Sequence, residues 1–281
     1  MGYLDLHIHT TVSDGTLTPR EVVRYAKGKG LKVIAITDHD SIEGNKEALD
    51  EGTTVGLSVV PGFEISAECP HGVMHLLGYG IDLESSFLKE RLEFLQRVRE
   101  ERNSKILDKL KDLGLALDHD DILKLAGGGQ IGRLHFAKAI VEQGYAAERK
   151  EAFDRFLKKG RPAYADRFRL KPEDAIGLVL KSKGLPVLAH PCMLNNLGPA
   201  DLDNFITELV KLGLKGIEAY YPNHTDEQAA YYRYLADKYG ILATGGSDYH
   251  GANKPEVEIG VFTGDTKLSF SLLEAMAEFW G

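Results

Sequence analysis

The sequence predicts an α/β barrel of seven strands carrying a helical insertion. Three observations lead there. Short apolar strand-like runs alternate with amphipathic helical segments in the first and last parts of the chain. A charged, strand-free helical block interrupts that alternation between residues 83 and 166. Histidines and carboxylates gather where the strand-like runs end. Alternation of this kind builds a parallel sheet, and an α/β barrel carries its site at the C-terminal ends of its strands.

The first strand covers 3–9 and ends in Leu6-His7-Ile8-His9-Thr10. Residues i and i+2 of a strand share a face, so His7 and His9 project side by side, as two imidazoles for one metal ion. Asp14 follows in the polar turn Thr11-Val12-Ser13-Asp14-Gly15. Thr18-Pro19-Arg20-Glu21 is a helix start, with Thr18 as N-cap, Pro19 in the first turn and Glu21 closing a capping box. That helix runs to residue 29, and Gly30 ends it. The unbroken apolar run 33–37 reads as a strand covered on both faces and leads into Asp38-His39-Asp40. A short helix over 41–50 follows. Then come a strand over 57–65 with Glu64 near its end, and a strand over 73–79 containing His75.

In the middle block Phe87, Leu88, Leu92, Leu95 and Val98 recur at helical spacing, and Ile106, Leu107 and Leu110 resume after a polar stretch. The stripe is core packing. The run Arg97-Val98-Arg99-Glu100-Glu101-Arg102 reads as a mixed-sign solvated face. Shorter helices are expected over 120–125, 134–143 and 148–158. The block is too long for a loop inside a compact domain, so residues 83–166 are an inserted helical subdomain. Residues 1–82 and 167–281 form the barrel. Alternation resumes with a helix over 171–183 and a strand ending in Leu188-Ala189-His190-Pro191. A further helix leads to the strand 216–219. A helix over 225–239 leads to the strand 241–245, followed by Gly246-Ser247-Asp248-Tyr249-His250.

Composition narrows the function classes. Of 281 residues, 43% are hydrophobic and 27% charged, as in a soluble globular protein. A net charge of -8 argues against an extended basic surface for duplex nucleic acid, while leaving room for a local cationic pocket. The cysteines are Cys69 and Cys192, with no disulfide framework and no signal peptide, which points to a reducing cytoplasm. No apolar run approaches the roughly 20 residues of a membrane helix.

Six of the ten histidines fall at or near strand ends: His7, His9, His39, His75, His190 and His250. Asp14, Glu64 and Asp248 accompany them. Nine such side chains exceed what one ion takes, so two or three divalent ions are expected per chain, with Glu64 able to bridge a pair. Mixed imidazole and carboxylate ligands suit Zn, Mn or Fe.

These motifs resemble those of the PHP (polymerase and histidinol phosphatase) family, namely His7-Ile8-His9 with Ser13-Asp14-Gly15, Thr37-Asp38-His39-Asp40, Glu64, His75, Ala189-His190-Pro191 and Ser247-Asp248-Tyr249-His250. Within the family the chain most resembles the stand-alone TrpH/YciV-like branch, which contains a nucleoside 3′,5′-bisphosphate phosphatase and a 5′–3′ exoribonuclease of short RNA. The resemblance implies a distorted, TIM-like (β/α)7 barrel with a trinuclear metal site. His7, His9, Glu64 and Asp248 would hold one ion. Glu64, His75 and His190 would hold a second, and Asp14, His39 and His250 a third. Aspartate at position 14 is usual for this branch.

Clustered divalent ions activate a shared water for in-line attack on a phosphate ester and neutralise the phosphoryl oxygens. The leaving oxygen then needs a proton or a cation. Gly127-Gly128-Gly129-Gln130-Ile131-Gly132-Arg133-Leu134-His135 offers Arg133 and His135 at a Gly-rich helix start, an anion-binding arrangement. It looks like the family's RPH element, with Leu134 in place of the usual Pro. Lys159 and Arg161, in the stretch returning to the barrel, could reach a second phosphate. Asn223 and His224 follow a barrel strand on the active-site side, and His224 matches a family position near the substrate. His39, Asp248 and His224 are the expected catalytic residues. His71 and His119 read as surface residues. The expected substrate is a small nucleotide or a short single-stranded RNA. Alternatives are a histidinol-phosphate phosphatase and a non-catalytic metal-binding scaffold.

Overall fold

The computed structural model describes residues 4–127, 129–194, 197–263 and 270–278. Residue 3, taken above as the start of the first strand, and Gly128 of the glycine-rich run lie outside the described residues. Seven strands form one sheet whose spatial order is the sequence order. They are β1 (Leu4–Ile8), β2 (Val33–Ile36), β3 (Ser58–Ala67), β4 (Met74–Tyr79), β5 (Leu185–Leu188), β6 (Gly216–Tyr220) and β7 (Leu242–Gly245). The sheet curls until its edges meet. Ile8 of β1 bridges Tyr249, just beyond β7, and the His9 amide donates to Tyr249 O at 2.9 Å.

The barrel is not wholly parallel. β4 runs antiparallel to both β3 and β5, whereas the other pairs are parallel. The reason is local. A parallel return needs a crossover of a dozen residues or more, and the link 68–73 from β3 to β4 is too short for one.

Helices cover the outside: α1 (Pro19–Gly28), α2 (Glu43–Val55), α3 (Ser86–Asp112), α4 (His119–Leu125), α5 (Arg133–Glu142), α6 (Arg149–Ala152), α7 (Pro172–Lys181), α8 (Pro199–Lys211), α9 (Asp226–Tyr239) and α10 (Phe270–Ala277). α1 starts with the expected capping box, Thr18 and Glu21 each satisfying the other's backbone N–H. The second helix begins later and runs longer than its expected span, ending where Gly56 turns left-handed at φ 67°. A widened helical turn, Phe153–Leu157, follows α6. Among the described residues no helix is long and apolar enough to cross a membrane.

α3 belongs to two cores. Its first half sends Leu88, Leu92 and Leu95 into the barrel's main cluster, with Leu76, Ile176 and Val179. Its second half sends Ile106 and Leu110 into a separate cluster with Ile122, Phe136, Ile140 and Leu157 of the inserted helices. The insert is thus pinned to the barrel by a shared helix. Its glycine-rich turn also lies directly on the loop after β1: a Cβ on Gly129 would stand 2.1 Å from Thr11 O.

The seam where β7 returns to β1 is equally tight. A Cβ on Gly246 would lie 2.3 Å from His7 Cβ and 2.5 Å from His7 N. Behind it, the fully buried Asp5 accepts from Ser247 N (2.9 Å), Ser247 Oγ (2.5 Å) and Gly260 N (2.7 Å), riveting the seam. Gly246→Ala should therefore cost about 1–3 kcal/mol by overpacking and lower Tm by roughly 3–10 °C in a thermal melt. Gly28→Ala, with nothing within 4 Å of the new methyl, should leave Tm unchanged or slightly raised.

Candidate metal centre

All nine side chains expected at the strand ends converge on the barrel mouth. Alternation along β1 turns His7 and His9 to one side. A parallel bridge pairs His39 with Glu64, and antiparallel pairing sets His75 opposite Ser66. His190 lies two residues beyond β5, and Asp248 and His250 follow β7.

Glu64 is the hub. Its Oε1 lies 2.8 Å from His75 Nδ1, 3.0 Å from His190 Nε2 and 3.6 Å from His7 Nε2. Its Oε2 lies 2.9 Å from His39 Nδ1 and 3.3 Å from His9 Nε2. Asp248 Oδ1 is 3.2 Å from His9 Nε2 and 3.5 Å from His7 Nε2. Asp14 Oδ1 is 3.2 Å from His250 Nε2 and 3.6 Å from His9 Nδ1, and its Oδ2 is 3.9 Å from His39 Nε2. Donor atoms within 4.8 Å of one another form four groups: His9/Asp14/His39/His250, His7/Glu64/His190, His7/His9/Asp248 and His39/Glu64/His75.

The donor set fits divalent ions. His7 Nε2, His9 Nε2, His39 Nδ1 and Asp14 Oδ1 are buried yet have no hydrogen-bond partner. A buried polar atom normally has one, and a nitrogen lone pair aimed at carboxylates without a shared proton is the posture of a metal ligand. On three of the six rings the other nitrogen is anchored, as is usual for metal-binding imidazoles. His7 Nδ1 pairs with Glu218 Oε1 at 3.0 Å, His250 Nδ1 with Asp248 O at 2.7 Å, and His9 Nδ1 with Ser13 Oγ at 3.3 Å. Ser13 Oγ in turn donates to Asp38 Oδ1 at 2.6 Å.

Electrostatics agree. Burial works to raise Asp14, Glu64 and Asp248, yet His250, His39 and Lys254 head the groups that hold these carboxyls well below the usual range. Burial also disfavours charge on His7 and His9. The surrounding carboxylates overcome it, and push His7 well up and His9 to about 9. A field that stabilises a buried imidazolium is one that stabilises a cation. Backbone strain concentrates here too. Of the four described non-glycine residues with positive φ, three are Asp40 (49°), His190 (26°) and Asp248 (55°), as expected where a site over-determines its backbone.

Several contributors escaped the sequence reading. Glu218 on β6, fully buried, takes the His7 ring and the His190 amide (2.7 Å). Its signal was a carboxylate inside an apolar strand. Asp38 receives Thr10 N, Thr10 Oγ1 and Ser13 Oγ. Lys254 Nζ and Tyr221 OH both reach Asp248 Oδ2, at 2.6 and 3.1 Å.

The expected substrate residues divide. His135 is fully buried, and its Nδ1 accepts from Gly132 N at 3.0 Å, so the ring closes the start of α5. Its Nε2 has no partner. Arg133 is half-buried, with its guanidinium 5.9 Å from the Tyr164 ring. His224 is buried; its Nδ1–H donates to Ala219 O at 2.9 Å and its Nε2 is unpartnered. The Tyr221 ring contacts both His190 (5.4 Å) and His224 (5.2 Å). Lys159, Arg161 and Asn223 are exposed and make none of the contacts that join the cluster. One expectation is corrected: the 97–102 face is not wholly solvated. Arg99 and Arg102 are 8% and 5% exposed, because that side of α3 turns toward the barrel mouth. Arg99 pairs there with Asp40 at 2.5 Å.

Comparison with known proteins accords with this geometry. The chain is 30% identical over 261 residues to a 3′,5′-nucleoside bisphosphate phosphatase of Chromobacterium violaceum, covering 92% of this chain and 91% of that one. It is 32% identical over 251 residues to a phosphoribosyl 1,2-cyclic phosphate 1,2-diphosphodiesterase of Eggerthella lenta, covering 88% and 94%. It is 31% identical over 261 residues to the 5′–3′ exoribonuclease Rnm of Escherichia coli, covering 91% and 87%. A solved amidohydrolase structure from Chromobacterium violaceum superposes with a TM-score of 0.87 at 27% identity, over 99% of this chain and 96% of that one. The PHP domain family model matches residues 5–164. With the motifs, the barrel and the convergent histidines all in place, the chain belongs to the PHP domain family.

Proposed function

We propose that the protein is a metal-dependent phosphoesterase acting on nucleotides. Its substrate is the 3′-phosphate of nucleoside 3′,5′-bisphosphates, or short RNA bearing a 5′-phosphate. The observation that carries the reading is Glu64, one buried carboxylate within 3.6 Å of five imidazoles. In this reading His7, His9, Glu64 and Asp248 hold one ion, Glu64, His75 and His190 a second, and Asp14, His39 and His250 a third. Bound there, the ions would supply an activated water and offset phosphoryl charge. The names of the similar phosphatase and exoribonuclease support nucleotides as the substrate class.

The chain's own residues do the rest. Asp14, His39 and His75 keep 15–17% of their side chains exposed, whereas the other six ligands are almost closed off, so substrate enters on their side. Residues 83–166 cap that entrance, with Gln130 Nε2 donating to His39 O at 2.5 Å. Arg133 and His135, on the first turn of α5, are assigned as phosphate contacts on the strength of the Gly-rich helix start and the unpartnered, buried Nε2 of His135. Burial favours neutral His224, and its bond to Ala219 spends the Nδ1–H and leaves Nε2 as an acceptor, so the ring suits contact with a substrate hydroxyl rather than proton donation to the leaving oxygen. Lys159, Arg161 and Asn223 are rim residues, within reach only of a substrate extending out of the mouth.

Purified protein should carry two or three Mn, Zn or Fe ions per chain by elemental analysis, and chelation should abolish activity; at most one ion after Mn supplementation would overturn the multi-ion reading. Mn-loaded protein should release phosphate from adenosine 3′,5′-bisphosphate, or mononucleotides from a 5′-phosphorylated RNA pentamer, with both lost in His39→Ala. Preference for histidinol phosphate or phosphoribosyl 1,2-cyclic phosphate would replace the nucleotide reading, and silence on all four with ions bound would favour a scaffold. Glu218→Gln, which weakens the anchor of His7, should reduce metal affinity about 10–100-fold in a chelator competition while the protein stays folded. Unchanged affinity would remove Glu218 from the support of the site.

A further inference from the structure

The three residues assigned above to a third ion, Asp14, His39 and His250, lie on the loops that follow β1, β2 and β7. Each of these loops meets the insert. After β2, Gln130 Nε2 donates to His39 O at 2.5 Å and Gln96 Nε2 to Asp40 O at 2.8 Å, while Arg99 pairs with the Asp40 carboxylate. After β1, Gly129 packs so closely that a Cβ on it would stand 2.1 Å from Thr11 O and 2.7 Å from Ser13 O. After β7, Arg149 Nη1 donates to Asn253 O at 3.0 Å. Asn253 is itself buried, and its Nδ2 donates to Asp14 O at 2.8 Å, so the hold from Arg149 passes on to the loop after β1. Thr16 Oγ1 accepts from Ala252 N at 2.9 Å and ties the same two loops.

The ligands at the centre of the cluster are held differently. Glu64 and His75 lie within paired strands, His7 is in β1 and His190 follows β5. Among the described residues, no hydrogen bond or ion pair joins residues 83–166 to β3, β4, β5 or β6, or to the loops after β3, β5 and β6. A loop is fixed less firmly than a strand, and a ligand set drawn from three loops forms only when all three are ordered together. The insert is the one element that meets all three. Its own contact residues are set in place beforehand: Asn103 of α3 donates to Ile131 O at 2.9 Å, which fixes the backbone beside Gln130.

We infer that the insert assembles the Asp14/His39/His250 subsite, with Gln130 and Arg149 as its positioning residues. Gln130 acts on the His39 backbone, and Arg149 acts through Asn253 on that of Asp14; neither side chain is a ligand. Metal affinity at this subsite then depends on the seat of the insert across the mouth, whereas affinity at the strand-borne ligands does not. The inference rests on the three-ion reading above, and it gives residues 83–166 a part in building the centre they cover.

The test counts bound Mn per chain by elemental analysis, after dialysis of the full-length protein against chelator-buffered Mn²⁺ over a range of free concentrations. Asp14→Ala marks the subsite, since it should hold one ion fewer than wild type. In Gln130→Leu and in Arg149→Met that same ion should need roughly 10-fold more free Mn²⁺, with the remaining ions unmoved. Arg149→Lys, whose ammonium still reaches toward the Asn253 carbonyl, should recover most of the loss. Added to Asp14→Ala, either substitution should change nothing further. Arg149 is exposed, so its methionine variant should fold as wild type does, and it decides the matter if Gln130→Leu fails to fold. A loss shared by every ion, or an Asp14-dependent ion that does not shift in Arg149→Met, would overturn the inference. If Asp14→Ala holds as many ions as wild type, no ion sits at the subsite. The three-ion reading then fails there and takes the inference with it, while the ions around Glu64 stand.

Discussion

One buried carboxylate among five imidazoles is the constraint on which the rest of the site depends. Glu64 can hold that position only if the imidazoles present the correct nitrogens, and each ring is turned by something behind it. Glu218 turns His7, the Asp248 carbonyl turns His250, and Ser13, itself held by Asp38, turns His9. Those supports sit on β6, on the turn after β7 and on the loops after β1 and β2. The sheet must close for them to meet. Barrel closure and site assembly are thus one event, and the Asp5 rivet with the bare Gly246 at the seam belongs to both.

Much of this was legible in the chain. Strand ends carry the ligands because a barrel exposes its strand ends to one mouth, so His7/His9, His39, His190 and Asp248/His250 appear as short motifs after apolar runs. The supports are less legible for a physical reason. A carboxylate that turns an imidazole sits one layer deeper, inside a strand, where it interrupts an apolar run by a single residue. Glu218 between Ile217 and Ala219 is such a case. The direction of β4 followed from a short link rather than from its own residues, and strand-helix alternation alone does not reveal it.

Arg99 and Arg102 illustrate a different limit. Their charges suggest a solvated helix face, yet their positions continue the buried stripe of α3: Leu88, Leu92, Leu95, Arg99, Arg102, Ile106, Leu110. Spacings of three and four run through the arginines without a break. Position along the stripe, more than residue type, determined which side of the helix turned inward. The stripe also changes core at that point, from the barrel cluster to the insert cluster. The two guanidinium groups therefore lie at the junction where the insert meets the mouth.

That junction resolves an apparent conflict in charge. A chain with net charge -8 is poorly suited to attract a polyanion through its overall field. At the mouth the charges are sorted. Asp14, Glu64 and Asp248 form a negative well that favours cations, and Arg99 and Arg167 bring positive charge to Asp40, the residue after His39. Both are largely shielded from water, so each acts with little screening on a group placed beside it. The two lie side by side at the mouth, where the insert meets the barrel. That sorting lies in the spacing of buried groups, which neither net charge nor any exposed patch encodes.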